Sequence, residues 1–227
     1  MKNYDKSVYE RNDSIDGLSP WTAYDIRTGE GTWPIIINDW NNIFKKLILQ
    51  HVVDSSCVIQ AGGHQGAYAR LLSDIFDLVY TFEPHPVNFH CLVQNCQKSN
   101  IIKMQSALGC ECGTIVLEEV STSGQHRVVH DRHSLYPIAV RDRYTVPVLT
   151  IDSLNVSSCG LIMLDTENFE VPIIEGALKT IEKFKPLIIV EKNYFPMNNQ
   201  RVAELLEPFG YKLEADLGED FLYISKP

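Results

Sequence analysis

One stretch constrains this chain more than any other: an apolar run that breaks into glycines, then a helical pattern, then a second apolar run ending on a single acid. Residues 57–66 read Cys-Val-Ile-Gln-Ala-Gly-Gly-His-Gln-Gly, and residues 79–84 read Val-Tyr-Thr-Phe-Glu-Pro. Cys57, Val58 and Ile59 are enough for a short buried strand. Past the glycines, Ala67, Leu71, Leu72, Ile75 and Phe76 fall on one helical face, and Leu78 to Phe82 then delivers Glu83. Strand, glycine turn, helix, strand, acid is the order of a nucleoside pocket. Glycine lets the backbone approach a ligand, and the acid accepts the two hydroxyls of a ribose. The same turn occurs in α/β domains with no ligand there; the acid closing the next strand is what favours the pocket.

Spacing selects among nucleotides. A dinucleotide fingerprint needs glycine at its third position, and the third position counted from Gly62 is His64. No Gly-x-x-x-x-Gly-Lys phosphate loop occurs. What remains is Gly62-Gly63-x-x-Gly66 with Glu83 seventeen residues beyond the last glycine. That pattern suits a ligand with a ribose and no phosphates, such as S-adenosylmethionine.

The alternation of short apolar runs and helical patterns continues along the chain. Strands are expected over 57–61, 78–83, 101–107, 160–164 and 187–190, the last two closed by Asp165 and Glu191. Helices are expected at about 65–76, 86–98 and 171–183, with another from Asn199 to Phe209 before two final strands near 211–215 and 221–225. Residues 114–120 read as an added strand, and 144–149 as another extended run beyond a polar loop. This is an α/β pattern: a mostly parallel sheet with helices on both faces. Ligands in such sheets bind beyond the carboxyl ends of the strands, at the switch in strand order. The glycine loop, Glu83, Asp165 and Glu191 therefore gather at one rim.

Ahead of this domain, residues 1–34 carry no sustained period, and Trp21 and Trp33 read as anchors onto the body. A helix from Asp39 places Trp40, Ile43, Phe44, Leu47 and Ile48 on one face. The expected division is an N-terminal extension and helix over 1–50, acting as a substrate lid, and a cofactor-binding domain over 51–227.

A net charge of −9 opposes general nucleic-acid binding. Arg127, Arg132, Arg141 and Arg143 are interrupted by Asp131 and Asp142, which suits a solvated surface. Six cysteines show no Cys-x-x-Cys pair and no zinc-type spacing with histidine. No signal-peptide core or membrane-length apolar stretch is present, so a cytoplasmic protein with no membrane association is expected. His126, His130 and His133 lie in the polar loop; they form either a lid over the substrate or, less in keeping with Gly124 and Pro137, a metal cluster. No metal is expected.

The ordered series of motifs resembles the FkbM-type class I methyltransferases. It runs through Val-Ile-Gln-Ala-Gly-Gly-His-Gln-Gly, Thr-Phe-Glu-Pro-His-Pro with Asn88 and Phe89, Asn95, Ala107-Leu108-Gly109 with Gly113, and Val146-Pro-Val-Leu-Thr-Ile-Asp-Ser-Leu154. It is strongest in Leu161-Ile-Met-Leu-Asp-Thr-Glu-Asn-Phe-Glu170, then Ile174-Glu-Gly-Ala-Leu-Lys-Thr-Ile-Glu182 and Lys185-Pro-Leu-Ile-Ile-Val-Glu191. The resemblance implies a Rossmann-like, seven-stranded, mostly parallel sheet with its last strand antiparallel. It also implies bound S-adenosylmethionine and methyl transfer to an oxygen of a sugar or small metabolite. By the same resemblance, residues 60–66 (Gln60, Ala61, Gly62, Gly63, His64 and Gly66 among them) wrap the methionine part. Glu83 and Pro84 hold the ribose, Ser106 and Ala107 lie near adenine, and Asp165 faces the sulfonium.

An alcohol acceptor benefits from a base. Asp165, Glu167 and Glu191 are the candidates; each could instead be structural, as a turn cap or a salt bridge, and His64 reads as a solvent-side loop residue. Two departures from the family pattern stand out. Gln60 replaces an acid able to answer the cofactor's ammonium, which also leaves open a non-catalytic cofactor-binding scaffold. Asn168 replaces a glycine, at a position where asparagine tolerates a left-handed backbone. The motifs of nucleic-acid base methyltransferases, Asp/Asn-Pro-Pro-aromatic and Pro-Cys, are absent.

Overall fold

The computed structural model describes residues 10–11, 21–22, 40–120, 126–128, 140–193 and 195–226. Two short strands, β1 (Glu10–Arg11) and β2 (Trp21–Thr22), pair antiparallel, and β2 lies against the helix that follows Glu83. The anchoring of Trp21 and Trp33, and most of the 1–50 extension, fall outside the described residues.

The short apolar runs become one central sheet. Its strands are β3 (Cys57–Ala61), β4 (Leu78–Phe82), β5 (Ile101–Met104), β10 (Leu161–Leu164), β11 (Leu187–Glu191), β12 (Tyr211–Asp216) and β13 (Asp220–Ser225). Their lateral order is β12-β13-β11-β10-β3-β4-β5, seven strands in all. From β11 to β5 every pairing is parallel, while β13 runs antiparallel to both its neighbours. The sheet is therefore the expected one, its last strand reversed. The chain leaves β3 toward β4 on one side and returns to β10 on the other, so the switch in strand order lies between β3 and β10.

Successive residues of a strand face opposite sides. Ile59, Ala61, Ile162, Leu164, Ile188 and Val190 join one core layer. Helices α4 (Glu170–Glu175), α5 (Leu178–Phe184) and α6 (Pro196–Leu206) cover that layer with Ile173, Ile174, Ile181, Val202 and Leu206. Val58, Val79, Leu161, Met163 and Ile189 join the other layer. There α1 (Lys45–His51), with the π-helical turn Trp40–Phe44 before it, α2 (Ala67–Leu72) and α3 (Pro86–Asn95) supply Trp40, Phe44, Ile48, Leu72 and Leu92. Burial on both faces is why these strands are continuous apolar runs instead of alternating ones. No helix among the described residues is long and apolar enough to cross a membrane.

Several local expectations change, among them the helix expected at about 65–76, which spans only Ala67–Leu72. The strand expected over 101–107 is cut at Met104, where pairing with Phe82 ends. After a break at Gln105 and Ser106, β6 (Ala107–Leu108) leaves for a second sheet with β7 (Gly113–Glu119), β8 (Arg127–Val128) and β9 (Asp142–Leu149), in the order β6-β9-β7-β8. The helix expected over 171–183 divides into α4 and α5 because Gly176 lies against the Gly109 carbonyl, where an added Cβ would sit 2.0 Å from the oxygen. At the break, Asp152 accepts from the Lys179 and Thr180 N–H groups at 3.2 and 2.8 Å and so caps α5. The helix expected over 86–98 ends at Asn95.

Candidate active site

The glycine loop is shaped by contacts a side chain would prevent. Gly62 has φ +81°, and an added Cβ would lie 1.7 Å from the Asp165 carbonyl oxygen, so the loop after β3 sits directly on the end of β10. Gly66, at φ +95°, packs on Cys96 Sγ. The N–H groups of Gly62 and Gly63 both donate to the Phe82 carbonyl, at 3.1 and 2.8 Å, which binds the loop to the end of β4.

Glu83 follows at that end and is 5% exposed. Its Oε2 accepts the His64 N–H at 2.7 Å and its Oε1 accepts the His85 N–H at 2.8 Å. Asn88 hydrogen-bonds to the same carboxylate, so three protein donors leave acceptor capacity for one ligand hydroxyl. Burial pushes its pKa up to about 8, against the pull of the His85 and His64 N–H groups and of Asn88. Pro84 is half-buried beside it, and Ser106 and Ala107 are buried just past the end of β5. Ser106 Oγ has no hydrogen-bond partner among the described residues, and neither has the amide of the fully buried Gln65.

Gln60 is turned into the fold. Its Nε2 donates to the Gly62 carbonyl at 3.1 Å and its Oε1 accepts from Thr81 Oγ1 at 2.7 Å. Across the chain reversal, Asp165 and Glu191 stand at the ends of the neighbouring parallel strands β10 and β11. Glu191 Oε2 accepts the Glu167 N–H at 3.2 Å. Burial raises both carboxyls, and for Glu191 the charges of Asp165, Glu167 and Glu170 add to it. Glu167 is pushed up to about 8 by burial, then by Asp165 and Glu170. Glu167 and Asn168 have φ of 55° and 76°, so the turn is left-handed at both, including the position where a glycine is usual. Glu170, fully buried, holds this turn by accepting from Thr166 N and Oγ1 and from Asn193 Nδ2.

A further polar cluster ties the second sheet to the Glu83 end of the rim. His85 Nδ1 accepts the Asn88 N–H at 3.4 Å, capping α3, which leaves Nε2 as the side facing Glu119 Oε2 at 3.6 Å. Tyr144 donates to the same Glu119 oxygen at 2.6 Å. The His126 ring lies on His85 with centroids 3.9 Å apart. His64 is half-buried, not on the solvent side as expected, because it sits under this cluster; burial and then His85 bring its pKa down to about 4. His126 thus meets His85, whereas His130 and His133 lie outside the described residues. Among the described residues no group of three His, Cys, Asp or Glu side chains could hold a metal ion. Arg143 is exposed and paired with Glu118, in keeping with a solvated surface.

Sequence reasoning assigned no role to His85, Glu119, Tyr144 or Glu170, and named Gln65 only as part of the 60–66 loop. His85 stands inside the Glu-Pro-His-Pro motif and could have been noticed there; the others carry no local signal.

The FkbM methyltransferase domain matches residues 60–213. The chain belongs to the FkbM methyltransferase family. No curated protein matches it in sequence. Among solved structures, it is similar to methyltransferase FkbM from Methylobacillus flagellatus KT, at 17% identity and a TM-score of 0.53, over 75% of this chain. That protein is the longer, and the match spans 44% of it. A putative methyltransferase from Streptococcus mutans, solved in complex with S-adenosylhomocysteine, matches at 11% identity and a TM-score of 0.47, over 84% of this chain and 95% of its own. A putative RNA methyltransferase from Pyrococcus horikoshii matches at 7% identity and a TM-score of 0.43, over 76% of this chain and 74% of its own. The fold is thus the class I methyltransferase fold, and the family's cofactor is S-adenosylmethionine.

The residues at the rim fit that cofactor. Glu83 keeps acceptor capacity for a ribose hydroxyl, no phosphate-binding loop competes for the site, and Gln65 in the glycine loop and Ser106 past β5 have buried polar atoms with no hydrogen-bond partner among the described residues.

Proposed function

We propose that this FkbM-family protein transfers a methyl group from S-adenosylmethionine to a hydroxyl of a sugar or other small metabolite. The observation that carries the reading is the cluster of half-buried carboxyls, Asp165, Glu167 and Glu191, beside the glycine loop. A base that takes the acceptor's proton would act there, and desolvation raises all three carboxyls, which makes each a stronger base than a solvated carboxylate. The cofactor supplies an electrophilic methyl on a sulfonium. The chain's part is to hold ribose on Glu83, seat the adenine end near Pro84, Ser106 and Ala107, orient the acceptor hydroxyl toward Asp165, and exclude water. Residues 60–66 line the methionine end, with His64 and Gly63 contributing backbone. The 1–50 extension and the loop between β8 and β9 are the parts that select the acceptor, since loops on a rigid sheet carry specificity. The net charge of −9 is the support for a non-nucleic-acid acceptor, and six free cysteines suit a reducing, cytoplasmic setting.

Calorimetry checks the first step: S-adenosylhomocysteine is expected to bind, with NAD and ATP far weaker. Turnover is then read as S-adenosylhomocysteine release across hydroxylated sugars, peptides and metabolites. Asp165→Asn keeps shape and hydrogen bonding, so the variant is expected to fold and to bind S-adenosylhomocysteine within a few-fold of wild type. Turnover is expected to fall by about 10²–10⁴. Tight NAD binding without heat from S-adenosylhomocysteine would refute the cofactor assignment. A wild type that binds the cofactor and methylates nothing would favour the scaffold that Gln60 leaves open.

A further inference from the structure

Five successive residues of the glycine loop are pinned, from two directions. The N–H groups of Gly62 and Gly63 go to the Phe82 carbonyl and that of His64 goes to Glu83, so the end of β4 holds the first half. The second half is held by its carbonyls. Asn95 Nδ2 donates to the Gln65 carbonyl at 2.8 Å, and Cys96 Sγ donates to the Gly66 carbonyl at 3.3 Å. Asn95 is the last residue of α3 and Cys96 is its C-cap, each 30 positions along the chain from the carbonyl it holds. Both side chains are buried.

The loop needs such restraint. Its backbone is left-handed at Gly62, His64 and Gly66, and at His64, with φ of 45°, the side chain makes that conformation unfavourable. A strained residue persists only where its surroundings over-determine it. The peptide between Gln65 and Gly66 is the link. Its N–H donates to the Gly63 carbonyl at 2.8 Å, closing the turn around His64, and its carbonyl takes the Asn95 amide. Cys96 adds a steric stop, because a Cβ at Gly66 would stand 2.5 Å from its sulfur. Glu83 has a second hold of its own, the N–H of His85 at the N-cap of α3. We infer that Asn95, assisted by Cys96, is a positioning residue for the amino-acid end of the cofactor, acting through the loop backbone and not by touching the ligand. This rests on the reading of the rim as the S-adenosylmethionine site, with residues 60–66 at the methionine end and Glu83 at the ribose. One helix then braces both parts of the site, the ribose acid from its start and the methionine loop from its end.

Two ligands separate this role from plain stability. S-adenosylhomocysteine carries ribose, adenine and the amino-acid end; methylthioadenosine carries the first two and lacks the third. Calorimetric titrations of both, run well below the melting temperature, give the ratio of their affinities. Asn95→Leu keeps the approximate volume and removes the donor. Its ratio is expected to fall about tenfold or more, because S-adenosylhomocysteine weakens by that much while methylthioadenosine stays within about threefold. Cys96→Ala is expected to lower the ratio in the same direction but by less, since a thiol is the weaker donor. Asp152→Ala, which removes the cap of α5, is the control for lost stability and is expected to leave the ratio unchanged. An unchanged ratio in Asn95→Leu, whatever its melting temperature, overturns the inference; if that variant does not fold, an unchanged ratio in Cys96→Ala does so. A wild type that binds S-adenosylhomocysteine no better than methylthioadenosine also overturns it and leaves the nucleoside site standing. Binding of neither ligand removes the reading of the rim itself.

Discussion

A side chain hydrogen-bonded at both ends does a different job from one that faces a ligand, and Gln60 is of the first kind. At 1% exposure it joins the glycine loop, through the Gly62 carbonyl, to β4, through Thr81. An acid at this position would lose the donor that the carbonyl requires and would be buried without a cation. Gln60→Glu is therefore expected to weaken cofactor binding and to cost about 1–3 kcal/mol of stability, the scale for a buried polar group left without its partner. The simple reading of the sequence, in which restoring an acid answers the cofactor's ammonium, predicts the opposite. Melting curves with S-adenosylhomocysteine titrations separate the two: tighter binding at an unchanged melting temperature would show that the brace is dispensable. Glu83 illustrates the other kind. Two backbone N–H groups fix its carboxylate at the mouth of the loop, so its direction is set before any ligand arrives.

Among the elements, the Thr-Ile-Asp-Ser-Leu segment shows how a motif can serve architecture. Thr150 Oγ1 accepts the Ser153 N–H and caps the 3₁₀ turn Ile151–Leu154. That turn presents Asp152 to the start of α5, where it also accepts from Thr180 Oγ1 at 2.8 Å. The Asp152 N–H donates to the Gly176 carbonyl, so the break between α4 and α5 is held from both sides. Losing an N-cap acceptor costs about 0.5–2 kcal/mol. Asp152→Ala is expected to lower the melting temperature by a few degrees while leaving S-adenosylhomocysteine affinity within a few-fold, because the cap lies away from the rim residues. An unaltered melting temperature would mean that water replaces the carboxylate at these N–H groups.

At the level of the whole molecule, the rim stores groups whose protonation differs between folded and unfolded chains. Glu83 and Glu167, ordinarily near 4.5, stand at about 8 when folded, and Glu191 is raised as well. The folded state therefore binds more protons above the unfolded value, and stability is lost as pH rises through the folded pKa. His64 and His126 act the other way. Ordinarily near 6.5 and brought down to about 4 and 3 by burial, they lose stability as pH falls below 6.5. The two trends oppose one another below 6.5, and above it only the carboxyls act. The melting temperature of the ligand-free protein is expected to fall steadily from 6.5 to 8 and beyond. A flat profile over that interval would show that the carboxyls are solvated and unshifted.

The local grammar of the chain was enough for the central sheet, the glycine turn, and the placing of Glu83, Asp165 and Glu191 at strand ends, though not for the end of β5 at Met104. Period-two and period-3.6 patterns, glycine spacing and the rule for ligands at parallel-strand ends all act over a few neighbouring residues, and one sequence displays them. The second sheet, the division of α4 from α5 and the grouping of His64, His85, His126, Glu119 and Tyr144 were not legible there. Tyr144 reaches Glu119 across 25 positions, and Glu167 reaches Glu191 across 24. Such partners are selected by which strands lie side by side, and no periodicity encodes lateral order. The candidate acids show the division most directly. Asp165 and Glu191 were visible as separate strand-end carboxylates, but that they stand side by side follows only from β10 and β11 being neighbours in register.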